Sequence, residues 1–124
     1  WKIFMESDIF VLPCNGKGRG EGWGLVLNEA ASMSLPIITT DAVGAVGDLI
    51  INQRNGFVVQ AGNIDQLTQK MKLLIESESL RDIMGRESRN LFEEKNSYQN
   101  MFVGFQDAIN HAINSAKSRT KIKK

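Results

Sequence analysis

At 124 residues, with 42% hydrophobic and 23% charged residues and a formal net charge of +1, the chain has the size and makeup of one globular domain. One cysteine excludes a disulfide framework, one histidine leaves no Cys/His cluster for zinc, and eleven glycines with two prolines exclude a collagen-like or low-complexity chain. Five of the fifteen basic residues (Lys117, Arg119, Lys121, Lys123 and Lys124) fall in the last eight positions, leaving ten basic against fourteen acidic residues elsewhere. That body carries −4 and gives no support to a nucleic-acid-binding domain, whose footprint is a basic face on the folded part.

The opening residues, Trp1 to Asp8, turn acidic too soon for a secretory signal, and no apolar run reaches the roughly 18 residues that span a bilayer. The first residue is tryptophan, so the expectation is a piece of a longer protein. Ile9, Phe10, Val11 and Leu12 form a continuous apolar run stopped by Pro13, which predicts a strand buried on both faces, as in a parallel sheet. A glycine-rich loop follows from Cys14 to Gly24. Leu25, Val26, Leu27, Ala30, Ala31 and Met33 are apolar almost all round and predict a buried helix. Pro36 ends that helix and opens a second strand, residues 37–40. Residues 41–51 read as a turn plus a short helix, Asn55-Gly56 as a turn, and residues 57–59 as a third short strand.

The second half reads as helical. Asn63 with Gln66 three residues on has the form of a capping box, and Ile64, Leu67, Met71, Leu74 and Ile75 follow on one face. A second helix opens near Ser79, with Leu80, Ile83, Met84 and Leu91 inward and Arg81, Arg86 and Arg89 outward. A third opens after Ser97, and its stripe of Met101, Phe102, Phe105, Ala108, Ile109, Ala112 and Ile113 is expected to be core. The order of elements predicts an α/β fold, a Rossmann-like parallel sheet with flanking helices. Three strands are few for such a sheet, and the first needs a neighbour on each side. Residues 1–115 are therefore expected to be part of one domain, and residues 116–124 a basic tail. The tail reads as a solvated terminus, with contact to phosphates or anionic lipid as the other option.

In open α/β sheets ligands bind where loops at the carboxyl ends of strands meet helix N-termini, and residues 13–24 occupy that place. Unpaired N–H groups and the helix dipole suit a phosphate there, and glycines at 22 and 24 allow close backbone approach. The loop lacks the Gly-Lys-Ser/Thr of a Walker loop and the spacing of the dinucleotide fingerprint. Glu21 lies just before the helix and Glu29 eight residues on, inside an otherwise apolar segment. A buried carboxylate is costly unless paired, so Glu29 either accepts the vicinal hydroxyls of a ribose or pairs with Lys or Arg in a structural bridge.

Residues 21–30, Glu-Gly-Trp-Gly-Leu-Val-Leu-Asn-Glu-Ala, resemble the E-x7-E signature of family 4 retaining glycosyltransferases. Ser7 to Pro13 resembles that family's A-D-x-x-x-x-P strand, and Ser34 to Thr40 its G-x-P-V-I-A-T strand. Residues 45–50, 55–59 and 80–85 resemble the segments that follow, so the likeness covers nearly the whole chain in order. The resemblance implies a GT-B architecture, of which residues 1–115 would be part of the C-terminal, nucleotide-sugar-binding domain. It implies that Glu21 is the catalytic carboxylate beside the donor sugar, and that Glu29 binds the donor ribose. The amides of Gly22, Trp23, Gly24 and Leu25 would bind sugar hydroxyls and diphosphate, with no metal and no cofactor required.

The implied partners are a UDP-, GDP- or ADP-sugar donor, a saccharide or lipid-linked acceptor and an N-terminal domain absent from this chain. The implied location is cytoplasmic, with peripheral contact at the inner face of the membrane as an option. Trp23 stands for the family's usual phenylalanine, Cys14 for a common serine, and Ser34 for a turn glycine. Lys17 and Arg19 lie in a loop longer than usual, and read either as solvated residues or as contacts to a phosphate or the acceptor. The family's donor-binding Arg and Lys lie upstream of the first strand here. His111 reads as an ordinary helix residue. Two functions follow: the donor-binding part of a sugar transferase, inactive as a fragment, or a non-catalytic nucleotide-binding or interaction module with the same fold.

Overall fold

The computed structural model describes residues 2–17, 20–95 and 98–121. The elements run α1 (Lys2–Met5), β1 (Phe10–Leu12), α2 (Leu25–Ser32), β2 (Ile37–Thr40), β3 (Gly56–Val59), α3 (Ile64–Glu76), α4 (Glu78–Lys95) and α5 (Tyr98–Lys121). The three strands form one parallel sheet in the order β1-β2-β3, with Phe10 opposite Ile37 and Ile37 opposite Gly56. The α/β class and the parallel sheet are as the sequence predicts.

β2 is central, and its four residues are all buried. Successive side chains point to opposite faces, so Ile37 and Ile38 enter different cores. Ile37 packs with Leu27, Ala30, Ala31, Leu35, Leu49 and Ile50 on the α2 side. Ile38 packs with Phe57, Val59, Leu74 and Met84 on the side of α3 and α4. Each fully buried Leu or Ile contributes about 1.5–3 kcal/mol of apolar transfer. α4 approaches the turn after α2 so closely that a Cβ on Gly85 would lie 2.2 Å from the Ser34 carbonyl oxygen.

Polar groups stitch the ends of the helices. Arg81 donates to the carbonyls of Leu74 and Ile75 at the end of α3, at 2.7 and 3.1 Å. Arg89 donates to the Ser32 carbonyl at the end of α2. A cation there also meets the negative end of the helix dipole. Of the three arginines predicted outward, Arg81 and Arg89 are thus C-terminal caps of neighbouring helices. Asn55 is fully buried: its Oδ1 accepts the Ile51 N–H at 2.8 Å, and its Nδ2 donates to the Leu49 carbonyl and to Ser88 Oγ. Ser88 Oγ in turn donates to the Asn55 carbonyl at 3.1 Å. On the surface, Arg54 bonds Glu87 at 2.8 Å and, with Asn90, holds its carboxyl below the usual carboxylate range.

Five expectations are corrected. Ile83, expected inward on α4, is 49% exposed, and Ile64 and Ile75 of the α3 stripe are also exposed. β1 is only half-buried, because among the described residues it is a sheet edge, paired with β2 alone. Residues 41–51 form turns and isolated bridges with no helix, held by Val46↔Ile50 and by turn hydrogen bonds around Ala45. α2 buries one face only: Leu27, Ala30 and Ala31 lie inside, while Leu25 is 75% exposed and Glu29 is exposed one turn along. α5 is not core. Every side chain described in it, residues 98–114, is exposed, Phe102 by 63% and Phe105 by 65%.

Candidate functional site

Because the strands are parallel, the loops after β1, β2 and β3 gather at one edge of the sheet. The β1 loop is tied to β2 beyond the ladder: Thr39 Oγ1 donates to the Leu12 carbonyl at 3.1 Å, and Thr40 Oγ1 to the Cys14 carbonyl at 2.7 Å. Asn15 Oδ1 accepts the Lys17 N–H at 2.9 Å, which closes a tight turn. Gly16, at φ +69°, lies against Ala42 and Ala61 of the other two loops. Arg19 and Gly18 lie outside the described residues.

Glu21 begins the next segment and is held from both sides. Its carbonyl accepts the Gly44 N–H at 3.1 Å, and it bridges to Val43 as a one-residue extension of the parallel sheet. Its carboxylate Oε1 accepts the Gly24 N–H at 3.1 Å. Gly44 permits this approach, since a Cβ there would lie 1.7 Å from the Gly22 carbonyl oxygen. Gly24 is the N-cap of α2, left-handed at φ 83°, ψ 66°, and a Cβ on it would crowd Leu27 and Leu12 at 3.1 and 3.2 Å. Trp23 is half-buried against the α2-side core, and its Nε1–H donates to Asn28 Oδ1 at 2.9 Å.

The structure thus brings Glu21, Gly22, Trp23, Gly24, Leu25 and Glu29 together around the first turn of α2. Glu21 and Glu29 are both exposed, and neither has an ion pair among the described residues. No described Lys or Arg forms the structural bridge to Glu29, and its exposure removes the desolvation cost expected of a buried carboxylate. Of the four amides expected to meet a ligand, that of Gly24 is taken by the Glu21 carboxylate, while those of Gly22, Trp23 and Leu25 have no partner among the described residues. Beside Glu21 lies an open depression of about 360 Å³ lined by Leu12, Pro13, Cys14, Lys17, Gly20 and Glu21. Among the described residues no three His, Cys, Asp or Glu side chains gather as a metal site needs. No helix among them is long and apolar enough to cross a membrane. His111 is exposed on α5.

Sequence reasoning passed over Asn28, Gly44 and Thr40, which hold the loop without lining it. The alternation of buried β2 residues gave the only signal for Thr40, a polar side chain ending an apolar strand. Gly44 and Asn28 had none, because both act on partners more than four residues away.

The three-stranded parallel sheet with flanking helices is an α/β fold of the kind found in the C-terminal domains of GT-B glycosyltransferases. The comparisons name the family: residues 1–91 match the model for glycosyl transferases group 1, and the chain belongs to that family. It is 31% identical over 117 residues to the capsular polysaccharide biosynthesis glycosyltransferase CapM of Staphylococcus aureus, covering 94% of this chain and 30% of the relative. It is 32% identical over 106 residues to an uncharacterized glycosyltransferase of Methanocaldococcus jannaschii, again covering 30% of the relative. The chain therefore spans under a third of the length of these relatives. Among solved structures it is similar to the C-terminal domain of the group 1 glycosyl transferase LpcC of Francisella tularensis, with TM-score 0.67 and 27% identity over 77% of this chain and 47% of that one. The sucrose-phosphate synthase of Thermosynechococcus elongatus shares the fold at TM-score 0.80 and 16% identity, over 91% of this chain and 27% of that one.

Proposed function

We propose that this chain is the donor-binding portion of a retaining glycosyltransferase that moves a sugar from a nucleotide sugar to a saccharide or lipid-linked acceptor. The observation that carries the reading is the pair Glu21 and Glu29, both exposed and, among the described residues, without ion pairs, flanking a helix N-terminus whose Gly22, Trp23 and Leu25 amides have no described partner. Glu29 accepts hydrogen bonds from the two ribose hydroxyls of the donor. Glu21, fixed by Gly24 and Gly44, lies against the donor sugar and stabilises charge near the anomeric carbon. The α2 N-terminus and the amides of Gly22, Trp23 and Leu25 offset the charge that develops on the departing diphosphate, the main electrostatic demand of such a transfer. The residues assign no role to a metal or a cofactor. The nearest support for the ligand class is a fold relative, Anabaena HepE, whose structure is described in complex with UDP and which matches this chain at TM-score 0.74 and 18% identity.

The test is titration of the intact protein with UDP, GDP and ADP by calorimetry. One of the three should bind in the micromolar to millimolar range, and Glu29→Ala should weaken it about a hundredfold or more, the worth of two hydrogen bonds to a charged acceptor. Equal affinity in wild type and variant would remove Glu29 from the site. Glu21→Ala should keep the fold and lose transfer. Full turnover by that variant would remove Glu21 from the chemistry, whereas nucleotide binding by a full-length wild type that transfers no sugar would favour the other reading, a binding module.

A further inference from the structure

The turn that carries the site has a weakness. Gly24, in the left-handed region, is the most permissive residue of the joint, and among the described residues its N–H is held only by the Glu21 carboxylate. On the reading above, that same carboxylate is asked to meet the donor sugar. An acceptor oxygen shared between the turn and a ligand leaves the turn loosest at the moment the ligand arrives. One contact crosses the joint without using Glu21: the Trp23 Nε1–H donates to Asn28 Oδ1 at 2.9 Å, from the residue before the glycine to the first turn of α2. Both residues are half-buried, and the indole also packs on the α2-side core. A phenylalanine at position 23 would keep the packing and lose the donor.

We propose that Trp23 and Asn28 are a positioning pair: their hydrogen bond holds the Gly22–Gly24 turn in register with α2 and so fixes Glu21 relative to Glu29 while Glu21 engages the donor. The inference rests on the donor-binding reading. The two side chains touch no reacting atom. It acts through the turn, and Asn28, with its Oδ1 engaged by the indole, is held in one of its two amide orientations.

The experiment uses the intact protein labelled with ¹⁵N at tryptophan, the variants Trp23→Phe, Asn28→Ala, their combination, and Asn28→Asp, which keeps the acceptor. Nucleotide affinity is measured with UDP, GDP and ADP, and the exchange rate of the Trp23 indole N–H by NMR. Each single variant should weaken the nucleotide that binds by roughly three- to tenfold, the range of one net hydrogen bond. The double variant should be no weaker than the singles, and Asn28→Asp should retain affinity. The indole N–H should be protected in wild type and in Asn28→Asp and exposed in Asn28→Ala. A double variant whose loss is the product of the single losses, or an indole that exchanges at the solvent rate in wild type, overturns the proposal. A wild type that binds none of the three nucleotides sinks the donor reading, while the indole exchange still decides whether the pair locks the turn.

Discussion

Gly44→Ala separates the placement of the site from the stability of the fold. The added Cβ would lie 1.7 Å from the Gly22 carbonyl oxygen and 2.8 Å from its carbon, where ordinary contact begins at 3.4 Å. The two segments must part by about 1.7 Å, the shortfall to that contact distance in a close-packed structure. Parting them breaks the Gly44 N–H bond to the Glu21 carbonyl and the Glu21↔Val43 bridge. One lost hydrogen bond and modest strain come to about 2–3 kcal/mol, or roughly 6–12 °C in Tm for a domain of this size. Gly22 and Gly44 are both exposed, so the loop yields and the core survives. Nucleotide affinity should fall by about 10- to 100-fold, since a displacement of that size spoils a preorganised site.

The comparison variant is Gly56→Ala. Its Cβ would lie 1.8 Å from the Ile37 carbonyl oxygen, almost the same collision, but inside the β2–β3 ladder where neither strand has room to retreat. That variant should lose more than about 4 kcal/mol and the cooperative transition with it. Circular dichroism melts and calorimetric titration of both variants decide the matter. If Gly44→Ala keeps wild-type affinity, or if both variants lose the same stability, the freedom of the struck neighbour is not what sets the outcome.

Asn55→Ala should cost about 2–4 kcal/mol in urea unfolding, because it strands the Ile51 N–H and the Leu49 carbonyl in a buried site; a loss under about 1 kcal/mol would contradict that accounting. Glu87 has a folded pKa below its unfolded one, so its bond to Arg54 stabilises at neutral pH and is lost as pH falls through the carboxylate range. Glu87→Gln should flatten that acid limb in melts taken between pH 7 and 3, and an unchanged limb would refute the assignment. Ending the chain at Lys95 should move Tm by less than about 2 °C, since α5 buries none of its described side chains. Sedimentation should show less self-association, because the exposed apolar stripe leaves with the helix.

The strands were legible because each is short, apolar and bounded by proline, glycine or a turn. Residues 37–40 appear as read, and β1 and β3 lie within a residue of their expected limits. The Asn63 cap was legible too: its Oδ1 accepts the Gln66 N–H at 3.0 Å, although Gln66 turns its own side chain to the Gln60 N–H at 2.9 Å. What was not legible is where periodicity meets a partner. The stripe of α5 and the apolar residues of α2 have the spacing of a buried face, but spacing records only that a face is apolar, not what covers it. Leu25 and Phe105 are exposed because no described element reaches them. Within the candidate site, the sequence placed Glu21 just before α2 and Glu29 inside it, where the structure has them, and the family resemblance alone proposed their roles. The grip on Glu21 was not legible, since Gly44 reaches it across more than twenty residues of chain.

The two anchors of the β1 loop have a consequence for how such a protein changes over generations. Thr40 pins its start at Cys14 and Gly44 pins its end at Glu21, so the stretch between is held at both ends by a sheet that does not depend on its contents. Lengthening a loop with fixed ends is cheap, about 0.6 kcal/mol for each doubling. Beyond the Asn15 turn and the Gly16 contact, length between the two anchors is therefore free to vary. Residues can be inserted, deleted or recharged there, beside the depression next to Glu21, while the two glutamates keep their places.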